Sequence, residues 1–111
     1  MFTINPSDNR IKVIQGDTGI LDLSLDNYNL KDGDKAYFTV KKDYAAEEAL
    51  IFKEVTKFTT DGKAKFIFTK EDTNLAIGLY LYDVQCNLAD GRVDTVITAS
   101  KFQVLGGITD A

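Results

Sequence analysis

The sequence predicts an all-β fold, an antiparallel β-sandwich of about seven short strands with one or two brief helical turns. Three observations predict it. Apolar residues recur at every second position through most of the chain. Turn residues, chiefly Asp, Gly and Asn, interrupt those runs at regular intervals. The chain has 111 residues, a length that one such sandwich fills. No internal repeat, low-complexity tract or linker divides it, so residues 1–111 are read as one domain.

Taken in order, Ile11 and Val13 alternate with Arg10 and Lys12. Leu21, Leu23 and Leu25 alternate with Asp22, Ser24 and Asp26, the pattern of a half-buried strand. Ala36, Phe38 and Val40 share one face, and Tyr37, Thr39 and Lys41 the other. A further strand is read over Leu50–Val55. Ala64, Phe66 and Phe68 repeat the alternation against Lys65 and Thr69. Tyr80, Tyr82, Val84 and Cys86 oppose Leu79, Leu81, Asp83 and Gln85, and apolar residues on both sides predict a strand partly covered on each face. From Val93 to Val104 the phase changes: Val93, Thr95 and Ile97 alternate, but Phe102 and Val104 take the opposite parity. A bulge near Ala99-Ser100 reconciles them.

The turns fall at Gly16-Asp17-Thr18-Gly19, Asp32-Gly33-Asp34, Asp61-Gly62 and Asp90-Gly91. The last two read as hairpin tips, because Asp-Gly tolerates the positive φ that tight hairpins require. Asp43 to Ala49 is read as one or two helical turns. Thr69 to Asp72 resembles a capping box leading into Asn74-Leu75. The strand number, the turn spacing and a short turn before a Tyr-bearing strand make the sandwich immunoglobulin-like in outline.

Composition removes several function classes. There is no histidine and only one cysteine, Cys86. Ser-His-Asp and Cys-His catalysis, zinc patterns built on His or paired Cys, and an internal disulfide therefore drop out. No cofactor motif is present. Thirteen basic residues against seventeen acidic ones give a net charge of −4, and the basic residues do not cluster, so a nucleic-acid surface is not expected. The first residues, MFTINPSDNR, lack the pattern of a signal peptide, and no apolar run has the length of a membrane span. The expectation is a soluble chain made in a reducing cytoplasm.

Asp17-Thr18-Gly19 is the catalytic triplet of aspartic proteases, whose viral members are short β-rich chains that dimerise to pair two such carboxylates. Ala76-Ile77-Gly78 matches the apolar-apolar-Gly motif those chains carry late. The context points the other way. Gln15-Gly16 precede the triplet, Ile20 follows it, Gly78 leads into a strand, and no glycine-rich flap lies between. The triplet is read as a turn, with the homodimeric protease as the alternative. Asp26, Asn27, Asn29, Asp32 and Asp34 crowd one loop, which raises Ca²⁺ binding, but the spacing departs from the EF-hand pattern and no Glu closes it. Tyr28 and Tyr44 are the loop aromatics that a carbohydrate- or host-surface-binding sandwich would use. Tyr80 and Tyr82 are read as core, and Cys86 as a buried, inert thiol. The apolar content of both faces around Leu79, Leu81 and Val96 exceeds what one core needs and suggests a covered partner surface.

Four segments carry a family resemblance: IQGDTG, DGDKAYFTVKK, GLYLYDVQ and RVDTVITASKFQV. From Ile11 to Thr109 the chain resembles tail-associated proteins of phages and prophages of Gram-positive bacteria, in particular the N-terminal immunoglobulin-like domain of phage baseplate upper proteins. The family-like positions are Gly16, Asp17, Thr18 and Gly19; Gly78, Tyr80, Tyr82 and Asp83; and Thr95 and Phe102. The resemblance implies fold-defining rather than catalytic roles for them. It also implies a virion structural protein that contacts other tail or baseplate proteins, with homo-oligomerisation open. The family's proteins continue past this domain, whereas this sequence ends at Ala111.

Overall fold

The computed structural model describes residues 1–108, so Thr109, where the resemblance ends, lies outside the described residues. Eight strands form: β1 (Phe2–Ile4), β2 (Ile11–Ile14), β3 (Gly19–Leu23), β4 (Lys35–Lys41), β5 (Ile51–Val55), β6 (Ala64–Phe68), β7 (Gly78–Asn87) and β8 (Val93–Leu105). The class is all-β, as the alternation predicts. A six-stranded mixed sheet runs β1-β2-β8-β7-β4-β5, and a two-stranded sheet pairs β3 with β6. All the larger sheet's pairings are antiparallel except β2 with β8, which run parallel.

Both sheets bury the apolar parity of their strands against each other. Ala36, Phe38 and Val40 of β4 and Tyr80, Tyr82, Val84 and Cys86 of β7 face Leu21 and Leu23 of β3 and Ala64, Phe66 and Phe68 of β6. Phe38 is the meeting point. Its ring stacks on Tyr82 at 5.1 Å, meets Phe68 edge-on at 4.8 Å, and lies 5.7 Å from Phe66 and 6.3 Å from Phe102. Tyr82 is buried to its hydroxyl, which donates to the Asn9 carbonyl and ties the β1–β2 turn to the core. Burial raises that phenol far above its ordinary range.

The phase change in β8 comes from irregular pairing with β7. Tyr82 lies opposite Ser100 and Val84 opposite Ile97, so Thr98 and Ala99 share one partner position. Ile97, Phe102 and Val104 are all buried as a result, although their parities differ. A second irregularity leaves Val96 between Ile97 and Thr95 without a facing residue. It turns Val93 and Thr95 outward, so the expected inward row over Val93, Thr95 and Ile97 holds only at Ile97.

Other expectations need correction. Neither short helix forms. Residues 43–50 make turns and bends, because the Asp43 carboxylate caps the Ala45 N–H and the segment then reverses into β5. At residues 69–72 the capping pair itself is present. The Asp72 N–H donates to Thr69 Oγ1 at 3.2 Å and the Thr69 N–H to Asp72 Oδ2 at 2.8 Å, but one turn suffices to pass between sheets. Asp90-Gly91 is a hairpin tip, with the Leu88 N–H donating to the Arg92 carbonyl at 2.8 Å. Asp61-Gly62 is not, because β5 and β6 belong to different sheets and the turn sits in the crossing between them. The Gly62 carbonyl accepts from Leu30 N–H at 3.0 Å, and a Cβ there would collide with the Asn29 backbone. Leu25 lies beyond β3 and makes only an isolated bridge to Tyr28.

Phe38 touches both sheets, so truncating it leaves a cavity that neither sheet closes alone. Phe38→Ala is expected to cost about 3–5 kcal/mol, read as a lower urea midpoint with an unchanged slope.

Candidate functional site

The Gly16–Gly19 segment links β2 to β3 as a turn. The Asp17 N–H donates to the Ile14 carbonyl at 2.9 Å, and Gly16 takes a φ of +82°. The turn is docked onto the corner that precedes β7. Fully buried Thr73 donates its hydroxyl to the Asp17 carbonyl at 2.7 Å, the Gly16 N–H donates to the Thr73 carbonyl at 3.3 Å, and Gln15 Nε2 donates to the Leu75 carbonyl at 2.9 Å. These hydrogen bonds join the triplet's turn to Thr73 and Leu75, just before Ala76-Ile77-Gly78, and none reaches that segment itself among the described residues. The Asp17 carboxylate is half-exposed and ion-paired with the Met1 ammonium. Gly19 is needed for close approach: a Cβ would overlap the Phe2 side chain, which stacks on Phe68 at 4.9 Å.

The remaining family-like positions divide by parity. Tyr80 and Phe102 face each other across β7 and β8, and Tyr82 packs against Phe102 at 6.3 Å. The Tyr80 hydroxyl donates to the Ala76 carbonyl at 2.5 Å, fixing the approach of the chain into β7. Gly78 opens β7 opposite Val104. Asp83 points to the outer face opposite Thr39, and exposed Thr95 pairs with Gln85. Gly19, Tyr80, Tyr82 and Phe102 pack in or against the core, and Asp83 lies on the outer face, in a groove of that surface. Cys86 is fully buried, and burial, aided by Asp94 and Asp34, pushes its thiol up to about 11.

The Asp/Asn-rich loop has a structural centre. Asp34 is buried, and its carboxylate accepts from the Ala89 N–H at 2.8 Å, the Tyr28 hydroxyl at 2.8 Å and the Lys31 N–H at 3.1 Å. Burial alone would raise its carboxyl; these hydrogen bonds and the Lys31 charge outweigh that and hold it below the usual range. Among the described residues no cluster of three or more acidic, His or Cys side chains is placed to hold a metal ion. Tyr28 is half-buried here, between Lys31 at 5.7 Å and Arg92 at 5.5 Å, and is no free rim aromatic.

A groove of about 480 Å³ lies on the outer face of the six-stranded sheet. Its floor comes from the outward parity of adjacent strands: Tyr37 and Thr39 of β4, Phe52 of β5, and Leu81, Asp83 and Gln85 of β7. Phe52, 58% exposed, lies 5.8 Å from the Tyr37 ring, and Tyr44, 81% exposed, stands at the rim. Burial, then the Glu54 carboxylate, raises the Tyr37 hydroxyl above its ordinary value. Leu79, on the same parity of β7, is 53% exposed. The outward apolar content of Leu79 and Leu81 was legible in the sequence. The addition of Phe52 was not, because parity within a strand does not name its neighbour. Val96, grouped with them from sequence, packs against the core instead.

No protein-family model matches the chain, and none of the curated proteins matches it.

Two outcomes follow from this geometry. Gly19→Ala should displace Phe2 from Phe68 and lower stability by about 1–3 kcal/mol in urea denaturation. Asp34→Asn should cost about 2 kcal/mol at pH 7, since the buried, charged acceptor of three hydrogen bonds is lost. Because the folded-state value of Asp34 lies below its unfolded one, its contribution is complete above the unfolded value of about 4 and fades as pH falls through the folded value. The gap between the two proteins should narrow when the unfolding curves are repeated near pH 3.

Proposed function

We propose that the chain is a non-catalytic assembly module, a structural component of a phage or prophage tail or baseplate, as its resemblance implies. One observation carries the reading: the aromatic groove on the outer face of β4, β5 and β7, with Tyr37, Phe52, Tyr44 and Leu81 in or beside a fringe of polar side chains. Interfaces are built this way, with aromatic anchors inside a polar rim. The anchors sit on paired strands, which hold them at fixed spacing without the entropy cost of ordering a loop.

The finer fold reading belongs to the same proposal. The parallel pairing of β2 with β8, the order β8-β7-β4-β5 in one sheet, and the separate β3–β6 pair support an immunoglobulin-like sandwich that lacks some strands of its smaller sheet. The Tyr80 hydroxyl reaching back four residues to the Ala76 carbonyl supports it too, as this is the tyrosine-corner arrangement.

Two alternatives have their own readouts. A protease working through paired Asp17 carboxylates loses its activity in Asp17→Asn. A turn residue in this role changes stability by about 1 kcal/mol or less and nothing else. For the glycan-binding alternative, Tyr44 lies at the groove beside Phe52 whereas Tyr28 does not, and binding to a panel of cell-wall glycans measures it.

The assembly reading predicts this chain in purified tail particles at stoichiometric level by quantitative mass spectrometry. Its presence in lysate but absence from particles overturns the reading. Phe52→Asp should keep thermal stability within about 1 kcal/mol, because the ring is exposed, yet lower incorporation into particles. Normal incorporation of that variant would remove the groove from the account.

A further inference from the structure

The smaller sheet has two strands, and each has one hydrogen-bonded strand neighbour, so an edge of β3 and an edge of β6 stay unpaired with another strand. Open edges invite a further strand, and edges that avoid one are normally protected by several charges, a proline or a bulge. Here β3 reads GILDL and β6 reads AKFIF, without a proline and with one charge each. The outward side chains are Ile20 and Asp22 on β3 and Lys65 and Ile67 on β6. Ile20 is 57% exposed and Ile67 58%, and they face each other directly across the pair, as do Asp22 and Lys65. A shallow depression beside the two isoleucines runs along Thr18, Gly19 and Phe68.

We propose that these edges join copies of this chain head to tail, β3 of one copy pairing antiparallel with β6 of the next. The two edges are complementary. In the register already used within the chain, β3 against a second copy's β6 sets Ile20 beside Ile67 and Asp22 beside Lys65, extending an apolar row and alternating the charges. No symmetric edge pairing does both. Two β3 strands about a two-fold axis bring Asp22 against Asp22, against Ile20 or, where Ile20 meets Ile20, against Thr18, and two β6 strands bring Lys65 against Lys65, against Ile67 or, where Ile67 meets Ile67, against Thr69, so no symmetric register pairs opposite charges. The contact is therefore heterologous, and repetition makes a ring if the rotation closes or a filament if it does not. The inner faces of the joined strands, Leu21, Leu23, Phe66 and Phe68, keep their places in each core.

The inference names a partner for the assembly module and rests on that reading only for its setting, because the self-contact is measurable on the isolated protein. Sedimentation velocity over a concentration series should show reversible growth beyond the monomer. Asp22→Lys alone and Lys65→Asp alone place like charges across the contact and should weaken self-association about tenfold, with circular dichroism confirming the fold. The double variant Asp22→Lys/Lys65→Asp restores the pair both within and between chains and should self-associate like the unaltered protein. Mixed with the unaltered protein, it should sort into separate assemblies, because every cross-contact is then Asp–Asp or Lys–Lys. A symmetric interface centred on Asp22 or Lys65 predicts preferential mixing instead, and one centred on Ile20 or Ile67 predicts single variants that associate normally. A monomer at all concentrations, single variants that associate normally, or mixed assemblies would each overturn the proposal. A monomeric chain that is still stoichiometric in tail particles would sink this contact and leave the assembly reading intact.

Discussion

The fold depends on one ring. Phe38 sits in β4, in the interior of the larger sheet, and reaches the smaller sheet through Phe66 and Phe68 while stacking on Tyr82 beside it. A two-stranded sheet is barely stable by itself in water. Here β3 and β6 are held because their inner faces land on that aromatic cluster. Phe2 extends the cluster from the other side, stacking on Phe68 and meeting Phe102 edge-on, and it reaches Phe68 only because residue 19 has no side chain. The Asp-Thr-Gly triplet thus has a structural reason. Its glycine makes room for a ring, and its first carbonyl receives the buried Thr73 hydroxyl.

Packing of this kind uses one parity of each strand and leaves the other to solvent or to partners. On β3 and β6 the outward parity carries an exposed Ile pair, and on β4, β5 and β7 it carries the aromatic groove. The two surfaces belong to different sheets, so one chain can meet a different partner through each. Polar interior groups, by contrast, are tied to architecture. Asp34 collects two loop segments around one carboxylate, and Tyr82 holds the β1–β2 turn.

How much of this was legible in the sequence follows from what alternation encodes. The inward row Tyr80, Tyr82, Val84 and Cys86 and the phase change in the last strand were both readable, because period two reports which side of a strand is buried. Strand partners were not. Asp61-Gly62 and Asp90-Gly91 are the same dipeptide with the same tolerance of positive φ, yet one crosses between sheets and the other closes a hairpin. β1 escaped because its three residues are too few to show a period. The capping pair Thr69–Asp72 was recognisable, but a cap starts a helix only where the chain has room to continue one. The groove was half visible, through Tyr37, Thr39, Leu81 and Asp83; Phe52 joins them through pairing that parity does not reveal.

The central claim is that the outer face of β4, β5 and β7 is a buried interface in the assembled particle. Hydroxyl-radical footprinting read by mass spectrometry, on the free chain and on purified tail particles, tests it directly. The account predicts strong labelling of Tyr44, Phe52 and Leu79 in the free chain and their protection in particles. Equal labelling of these residues in both states would contradict it.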